Sequence, residues 1–195
     1  MEQVTRAFYD GNPEGYSEST FGNDVSDIRR HFLSHLDPGA RILDLGCGSG
    51  RDTLAFREAG YEVVPVDGSE GMCRVASSNT GSKVRCLDIL DLDYVDEFDG
   101  VWACASLLHL GSREIQEAFR LIRRALREGG AVYVSFKEGT FEGIRDGRWY
   151  TDMTVDGLIG MAEAAGFLAV DIWQSTDPRD TVWVNAMLVK GSSGF

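Results

Sequence analysis

The chain has few basic residues for its acidic ones, no paired cysteines, no long apolar run and no repeat, and each shortage removes a class of protein. Lysine and arginine number 19 against 31 aspartates and glutamates, a formal charge of −12 over 195 residues with a pI near 4.6. Such a surface repels phosphate backbones, which supply most of the affinity in nucleic-acid binding. Nucleic acid is therefore an unfavourable partner, and Arg120, Arg123, Arg124 and Arg127 are read as the solvated face of a helix. Four cysteines, Cys47, Cys73, Cys86 and Cys104, stand without a C-x-x-C pair, which predicts reduced, buried thiols and no metal. No stretch approaches the roughly eighteen uncharged apolar residues of a membrane helix, and Met1-Glu2-Gln3-Val4-Thr5-Arg6 lacks the apolar run of a secretory leader. A cytoplasmic protein off the membrane is expected, as a monomer or a homodimer. Length and composition suit one globular domain at residues 1–190, with a mobile tail at 191–195.

From residue 41 onward, apolar runs alternate with helix-like stretches, the pattern of a doubly wound α/β fold with a mostly parallel sheet. Strands are predicted at 41–45, 62–66, 83–87, 100–105 and 131–136. The clearest helix covers 113–127, with Ser112 as its N-cap, Ile115, Ala118, Phe119, Ile122 and Leu126 on one face, and Gly129-Gly130 as its stop. A helix carrying Leu54, Ala55 and Ala59 ends at Gly60, and another starts at Thr154 and ends at Gly166. Strands at 168–174 and 181–189 are joined by six turn-type residues, too few for a crossover helix, so they form an antiparallel C-terminal hairpin. Residues 1–40 carry helices at about 5–10 and 24–36 with a polar joint at 11–15, read as a helical cap or lid over the sheet's edge.

The chemistry is carried by Arg41-Ile42-Leu43-Asp44-Leu45-Gly46-Cys47-Gly48-Ser49-Gly50-Arg51-Asp52, a strand running into a glycine-rich turn and a helix. Glycines let a ligand approach the backbone, and the helix start offers free N–H groups. Dinucleotide sites space their glycines G-x-G-x-x-G; here the third comes one residue early, at Gly50, and an acid, Asp44, lies at the strand end. The pattern resembles the first motif of the class I S-adenosylmethionine-dependent methyltransferases. The likeness extends from about Tyr9 to Val189 and is nearest the small bacterial enzymes of the tellurite-resistance type.

That resemblance implies a Rossmann-like seven-stranded sheet whose last strand lies antiparallel between the fifth and the sixth. It implies S-adenosylmethionine as cofactor, S-adenosylhomocysteine as product and a small molecule as acceptor. Asp67, ending Val63-Val64-Pro65-Val66-Asp67, would hold the ribose hydroxyls, with Gly68, Ser69 and Met72 beside it. Asp88 would meet the adenine amino group, flanked by Leu87 and Ile89. Ala103 and Cys104, at the end of the fourth strand, would run beside the methionine part, Arg51 beside its carboxylate, and Tyr16, more than Tyr9, would lie in the lid.

Methyl transfer from a sulfonium is an in-line displacement, so positioning and removal of water can supply much of the acceleration. Of three histidines, His31 and His35 fall on the N-terminal helix in packing or surface roles. His109 follows the fourth strand at the ligand-binding edge, either hydrogen-bonded to hold its loop or acting as a base or acceptor-orienting group. Lys137, Arg148, Trp149, Tyr150, Trp183 and Asn185 stand on the acceptor side, and of these Arg148 and Tyr150 are the candidate acceptor contacts. Two rivals stay open: a nicotinamide-dependent oxidoreductase, disfavoured by the glycine spacing, and a non-catalytic binder of the same nucleoside.

Overall fold

In a computed structural model the chain is described over residues 3–191, so the predicted tail beyond Gly191 lies outside the described residues. Seven strands form one sheet: β1 Arg41–Leu45, β2 Glu62–Asp67, β3 Arg85–Cys86, β4 Phe98–Ala103, β5 Leu126–Lys137, β8 Phe167–Thr176 and β9 Val182–Lys190. Their order is β3-β2-β1-β4-β5-β9-β8, and only the β5–β9 and β9–β8 pairings are antiparallel. Both the hairpin and the insertion of the last strand beside the fifth are as expected. A separate two-stranded ribbon pairs β6 Glu142–Arg145 with β7 Arg148–Thr151, a hairpin that the strand periodicity did not announce.

Alternation along the strands sorts the core into two layers. Leu43, Leu45, Val101, Ala103, Val132, Val134 and Phe136 face α6 Ser112–Ala125 and α7 Val155–Ala164, through Ile115, Phe119, Ile122, Leu158 and Ala162. On the other face Ile42, Trp102, Tyr133 and Met187 pack with Phe32 of α3 Ser26–Leu33 and Phe56 of α4 Arg51–Glu58. The helix α5 Glu70–Thr80 completes the layer beside β2.

The N-terminal forty residues depart from the expected cap. The predicted polar joint is itself helical: α1 Gln3–Gly11 is followed at once by α2 Pro13–Thr20. Asn12 accepts the Gly15 N–H at 3.2 Å, and Pro13 takes the first helical position, where its missing donor costs nothing. Nor is α3 an edge cap. Phe32 is fully buried against Trp102, and a Cβ on Gly100 of β4 would stand 2.7 Å from its ring, so the helix lies directly on the central strands.

Other boundaries move for local reasons. Gly111, not Ser112, caps α6; the Gly111 N–H goes to Glu114 Oε2 at 2.9 Å, and Ser112 N donates to Glu142 at 3.0 Å. The helix stops at Ala125 because Leu126 turns extended and pairs with Phe98. Strand β4 ends at Ala103 and the chain turns away, with Ala105 at φ +51°. Edge strand β3 shrinks to two residues, which leaves Cys86 exposed, and Cys104, just past β4, is partly exposed on the cleft, against the expectation of four buried thiols; all four are free. Three of the four arginines read as a solvated face tie down neighbouring chain: Arg123 reaches the Gly191 carbonyl, Arg124 the Leu92 carbonyl, and Arg127, beyond the helix, Asp99 at 2.7 Å. Among the described residues no helix is long and apolar enough to cross a membrane.

Candidate active site

Strands β1 and β4 are neighbours whose chains leave in opposite directions, β1 toward β2 and β4 toward β5, and a crevice opens at their carboxyl ends where ligands bind in such sheets. It is the mouth of a cleft of about 1270 Å³ that runs from the glycine turn past α1, α2 and the 104–109 loop to β7 and the β8–β9 hairpin.

The three glycines serve different ends. All are left-handed, with φ of +76°, +55° and +83° for Gly46, Gly48 and Gly50. A Cβ on Gly46 would stand 2.4 Å from Ser106 Cβ, and one on Gly50 would stand 2.6 Å from Thr80 Cγ2, so both positions let elements close on each other. One on Gly48 would meet no protein atom within 4 Å, because that position opens on the cleft. Gly50 therefore packs against α5 and does not line the cleft, whereas Gly46, Cys47 and Gly48 do.

Asp67, at the end of β2, is buried beside this turn and accepts the Gly48 N–H and the Ser69 N–H, both at 2.9 Å. Burial raises its carboxyl to about 6 despite those donors. Asp44 is buried as deeply; burial, with the nearby Asp52 carboxylate, raises it to about 7 against a 2.5 Å bond from Thr53 Oγ1. Asp52 is a member of the site that the sequence reading passed over. It takes Arg29 at 2.7 Å, Arg51 at 2.6 Å and Trp102 Nε1 at 2.9 Å, and these partners hold its carboxyl low although burial pushes the other way. Two guanidiniums share the Asp52 carboxylate, and Arg51 lines the cleft there. Its signal was legible: an acid in the first turn of a helix that follows a glycine turn.

Around the opposite wall stand Tyr9, Tyr16, His109, Arg148 and Tyr150. His109 Nδ1 donates to the Trp149 carbonyl at 2.7 Å, which leaves Nε2 to accept the Tyr9 hydroxyl at 2.8 Å. Burial, helped by the Arg148 and Lys137 charges, lowers His109 to about 4, so it is neutral at ordinary pH. Burial raises the hydroxyls of Tyr9, Tyr16 and Tyr150 above the usual phenol range.

Of the remaining expected residues, Gly68, Met72, Leu87, Ile89 and Cys104 line the cleft. Ser69, Asp88 and Ala103 do not. Ser69 is the buried N-cap of α5. Asp88 caps a short 3-10 turn at Ile89–Asp91 and takes Arg6 of α1 at 2.9 Å. Ala103 is fully buried toward α6, because strand alternation sends it to the face opposite Trp102 and leaves Cys104 to the cleft. Lys137, Trp183 and Asn185 line it, while Trp149 contributes its carbonyl to His109. The 19–28 segment and the loop at 177–181 also form its walls, without any sequence signal that marks them.

The residues present suit a sulfonium nucleoside: an open backbone cradle at Gly48, a buried carboxylate beside it, and Ser106 Oγ, buried against Gly46 and without a hydrogen-bond partner among the described residues. Fold and cleft together define a Rossmann-like α/β protein with a ligand cleft at the switch point of its sheet. Comparison with known proteins narrows this. Residues 42–130 match the family model described as a methyltransferase domain. The putative methyltransferase YqeM of Bacillus subtilis is 34% identical over 140 residues, which cover 66% of this chain and 57% of that protein. Among solved structures, the 1,6-didemethyltoxoflavin-N1-methyltransferase of Burkholderia thailandensis, with 1,6-didemethyltoxoflavin and S-adenosylhomocysteine bound, shares the fold at a TM-score of 0.80 and 23% identity, over 97% of this chain and 88% of that one. The [4+2]-cyclase SpnF shares it at 0.70 and 21%, over 88% and 86%. The chain spans between 37% and 61% of the length of the first curated relatives it matches. Residues 42–130 are thus similar to a methyltransferase domain, and the chain shares the fold of the S-adenosylmethionine-dependent methyltransferases.

Proposed function

We propose that the chain binds S-adenosylmethionine in this cleft, transfers the methyl group to a small-molecule acceptor and releases S-adenosylhomocysteine. The observation that carries the reading is the pairing of Gly48, open on the cleft, with the buried Asp67 carboxylate that accepts its N–H. When bound, S-adenosylmethionine supplies a methyl group activated by its sulfonium sulfur. Asp67 uses two of about four lone-pair positions on backbone donors, and the remaining two suit a pair of ribose hydroxyls. Arg51, which shares Asp52 with Arg29 and lines the cleft, suits a carboxylate. Leu87 and Ile89 offer flat apolar walls, and Tyr16 closes the near side.

Acceleration in this scheme comes from alignment and exclusion of water by α1 and α2, with no dedicated base. Asp10 on α1 supports that role by accepting Ser69 Oγ at 2.6 Å and Gly71 N at 2.9 Å, which holds the helix against the Asp67 turn. We read His109 as a positioning residue: neutral, fixed by Trp149 and directing the Tyr9 hydroxyl. His109→Ala with full turnover and ordinary cofactor affinity would remove it from the scheme. The cytoplasmic expectation, which four free thiols suit, belongs to the same proposal.

Isothermal titration with S-adenosylmethionine, S-adenosylhomocysteine and NAD tests the cofactor. Binding of the first two and not the third is expected; NAD alone would restore the oxidoreductase. SpnF carries this fold under a cyclase's name, so transfer itself needs a separate measurement, and turnover against an acceptor panel provides it. A metabolite gaining fourteen mass units in overexpressing cells would identify the acceptor, and none appearing favours a binder without catalysis.

A further inference from the structure

The acceptor half of the cleft reverses the charge of the rest of the molecule. Three cations surround the ring of Tyr150: Lys137 Nζ at 4.2 Å from its centre, Arg145 at 4.8 Å and Arg148 at 5.2 Å. Arg145 is spoken for, since both its terminal nitrogens donate to Asp152 at 3.1 and 2.9 Å. Among the described residues no carboxylate lies within 4.0 Å of Lys137 or Arg148 to form an ion pair. The exposed Asp146, at the β6–β7 turn, adds one more negative charge nearby, so three cations stand against two carboxylates on a chain of net charge −12.

The two cations without a carboxylate partner are built in, Arg148 also facing the Tyr9 hydroxyl. Arg148 is held over the Phe8 ring at 4.4 Å, and its Nε is buried with no hydrogen-bond partner among the described residues. Lys137 ends the long central strand β5, and burial with Arg145 and Arg148 lowers its ammonium from the usual range. Like charges gathered around one ring, with one donor unsatisfied, cost stability unless a ligand relieves them. Both side chains line the cleft together with His109 and Tyr150.

We propose that the acceptor carries an oxyanion, a carboxylate or a phosphate, which docks between Lys137 and Arg148 and so fixes the methylated atom against the cofactor half of the cleft. The proposal rests on the methyltransferase reading and gives it a substrate class. Arg148 offers a fork for two oxygens, Lys137 a point charge opposite, and Phe8, Tyr150 and Trp183 offer aromatic walls for the body of such a molecule.

The test uses the full chain saturated with S-adenosylhomocysteine and three probes of one shape: benzoate, phenyl phosphate and benzamide. Dissociation constants are read from ¹H–¹⁵N shifts, including the Arg148 Nε–H signal. Benzoate or phenyl phosphate is expected to bind at least ten-fold more tightly than benzamide, and the tighter of the two tells carboxylate from phosphate. Lys137→Met should weaken the anion at least five-fold and leave benzamide within two-fold; Arg148→Lys should weaken it while retaining charge. Equal binding of anion and amide, no binding of any probe, or an unchanged anion constant in Lys137→Met would overturn the subsite. S-adenosylhomocysteine binding that persists in any of those cases leaves the cofactor reading standing. Its absence from the wild-type protein at the outset would defeat that reading instead.

Discussion

Replacing Asp67 by Asn separates what the carboxylate does for binding from what it costs the fold. Asp67 is 7% exposed and its two oxygens accept Gly48 N and Ser69 N. An amide of the same shape offers one oxygen and one NH2, so one of those backbone donors loses its acceptor, at about 1–3 kcal/mol. Against this stands the charge. Burial raises the folded carboxyl to about 6, while the unfolded value is about 3.9. Between those values the folded chain keeps a proton that the unfolded chain has released, so the stability of the wild type falls as pH rises and the full deficit, on the order of 3 kcal/mol, persists above about 6. Asparagine has no such deficit. The variant should therefore melt several degrees below the wild type at pH 4 and equal or exceed it at pH 8. Its affinity for S-adenosylhomocysteine should nevertheless drop by about 1–3 kcal/mol, roughly 5- to 150-fold, for loss of a charged acceptor toward the ribose. Calorimetric titration and melting curves at both pH values measure the two effects on one sample. An unchanged dissociation constant, or a stability difference that does not move with pH, would refute the role given to this carboxylate.

The remaining expectations concern the turn, the Tyr9–His109 pair and the N-terminal helices. Gly50→Ala should cost at least 1–3 kcal/mol in denaturant unfolding through its clash with Thr80, whereas Gly48→Ala should cost about 1 kcal/mol for its positive φ yet weaken the cofactor more than Gly50→Ala does. Tyr9→Phe leaves His109 Nε2 buried without its donor and should lose about 1–3 kcal/mol. His109, lowered to about 4, is neutral when folded but protonates near 6.5 when unfolded, so the stability it lends is complete above 6.5 and is lost as pH falls toward 4; chemical denaturation of the wild type beside His109→Gln across that window reads it. For the same reason a pH–rate profile should show no break from His109 between pH 5 and 8. Phe32→Ala should lose about 3–5 kcal/mol, the scale for an aromatic side chain deleted from a core, and a loss under 1 kcal/mol would return α3 to the status of a cap.

What the sequence made legible follows from the range of the interaction that carries each feature. Strand β1, the glycine turn and α4 are adjacent in the chain and obey local rules, so the bounds of the strand and the start of the helix could be read directly. The C-terminal hairpin followed from counting the residues between two apolar runs. Errors gather where a distant partner decides. Leu126 leaves its helix because Phe98 pairs with it, Ala103 turns inward because the sheet's other face meets α6, and Asp88 turns toward Arg6. The helix α2 was missed although Asn12-Pro13 is a local start signal, since Gly11 and Gly15 on either side suggested a loop.

Charge shows the same limit most clearly. A net charge of −12 argued against anionic partners, and as a statement about the surface the argument holds. It says nothing of a cleft in which Lys137, Arg145 and Arg148, from three separate strands, meet around the Tyr150 ring. An anion entering there gives up its hydration but gains two cations in a low-dielectric site, where each interaction is several times stronger than at the surface. The distant negative surface is screened within about 8–10 Å at physiological salt. Raising the ionic strength should therefore weaken the wild-type protein's hold on benzoate or phenyl phosphate far less than it would a surface ion pair. A steep salt dependence, such as that of an exposed lysine, would mean that Lys137 and Arg148 meet the anion at the rim and that the buried fork is not what selects it.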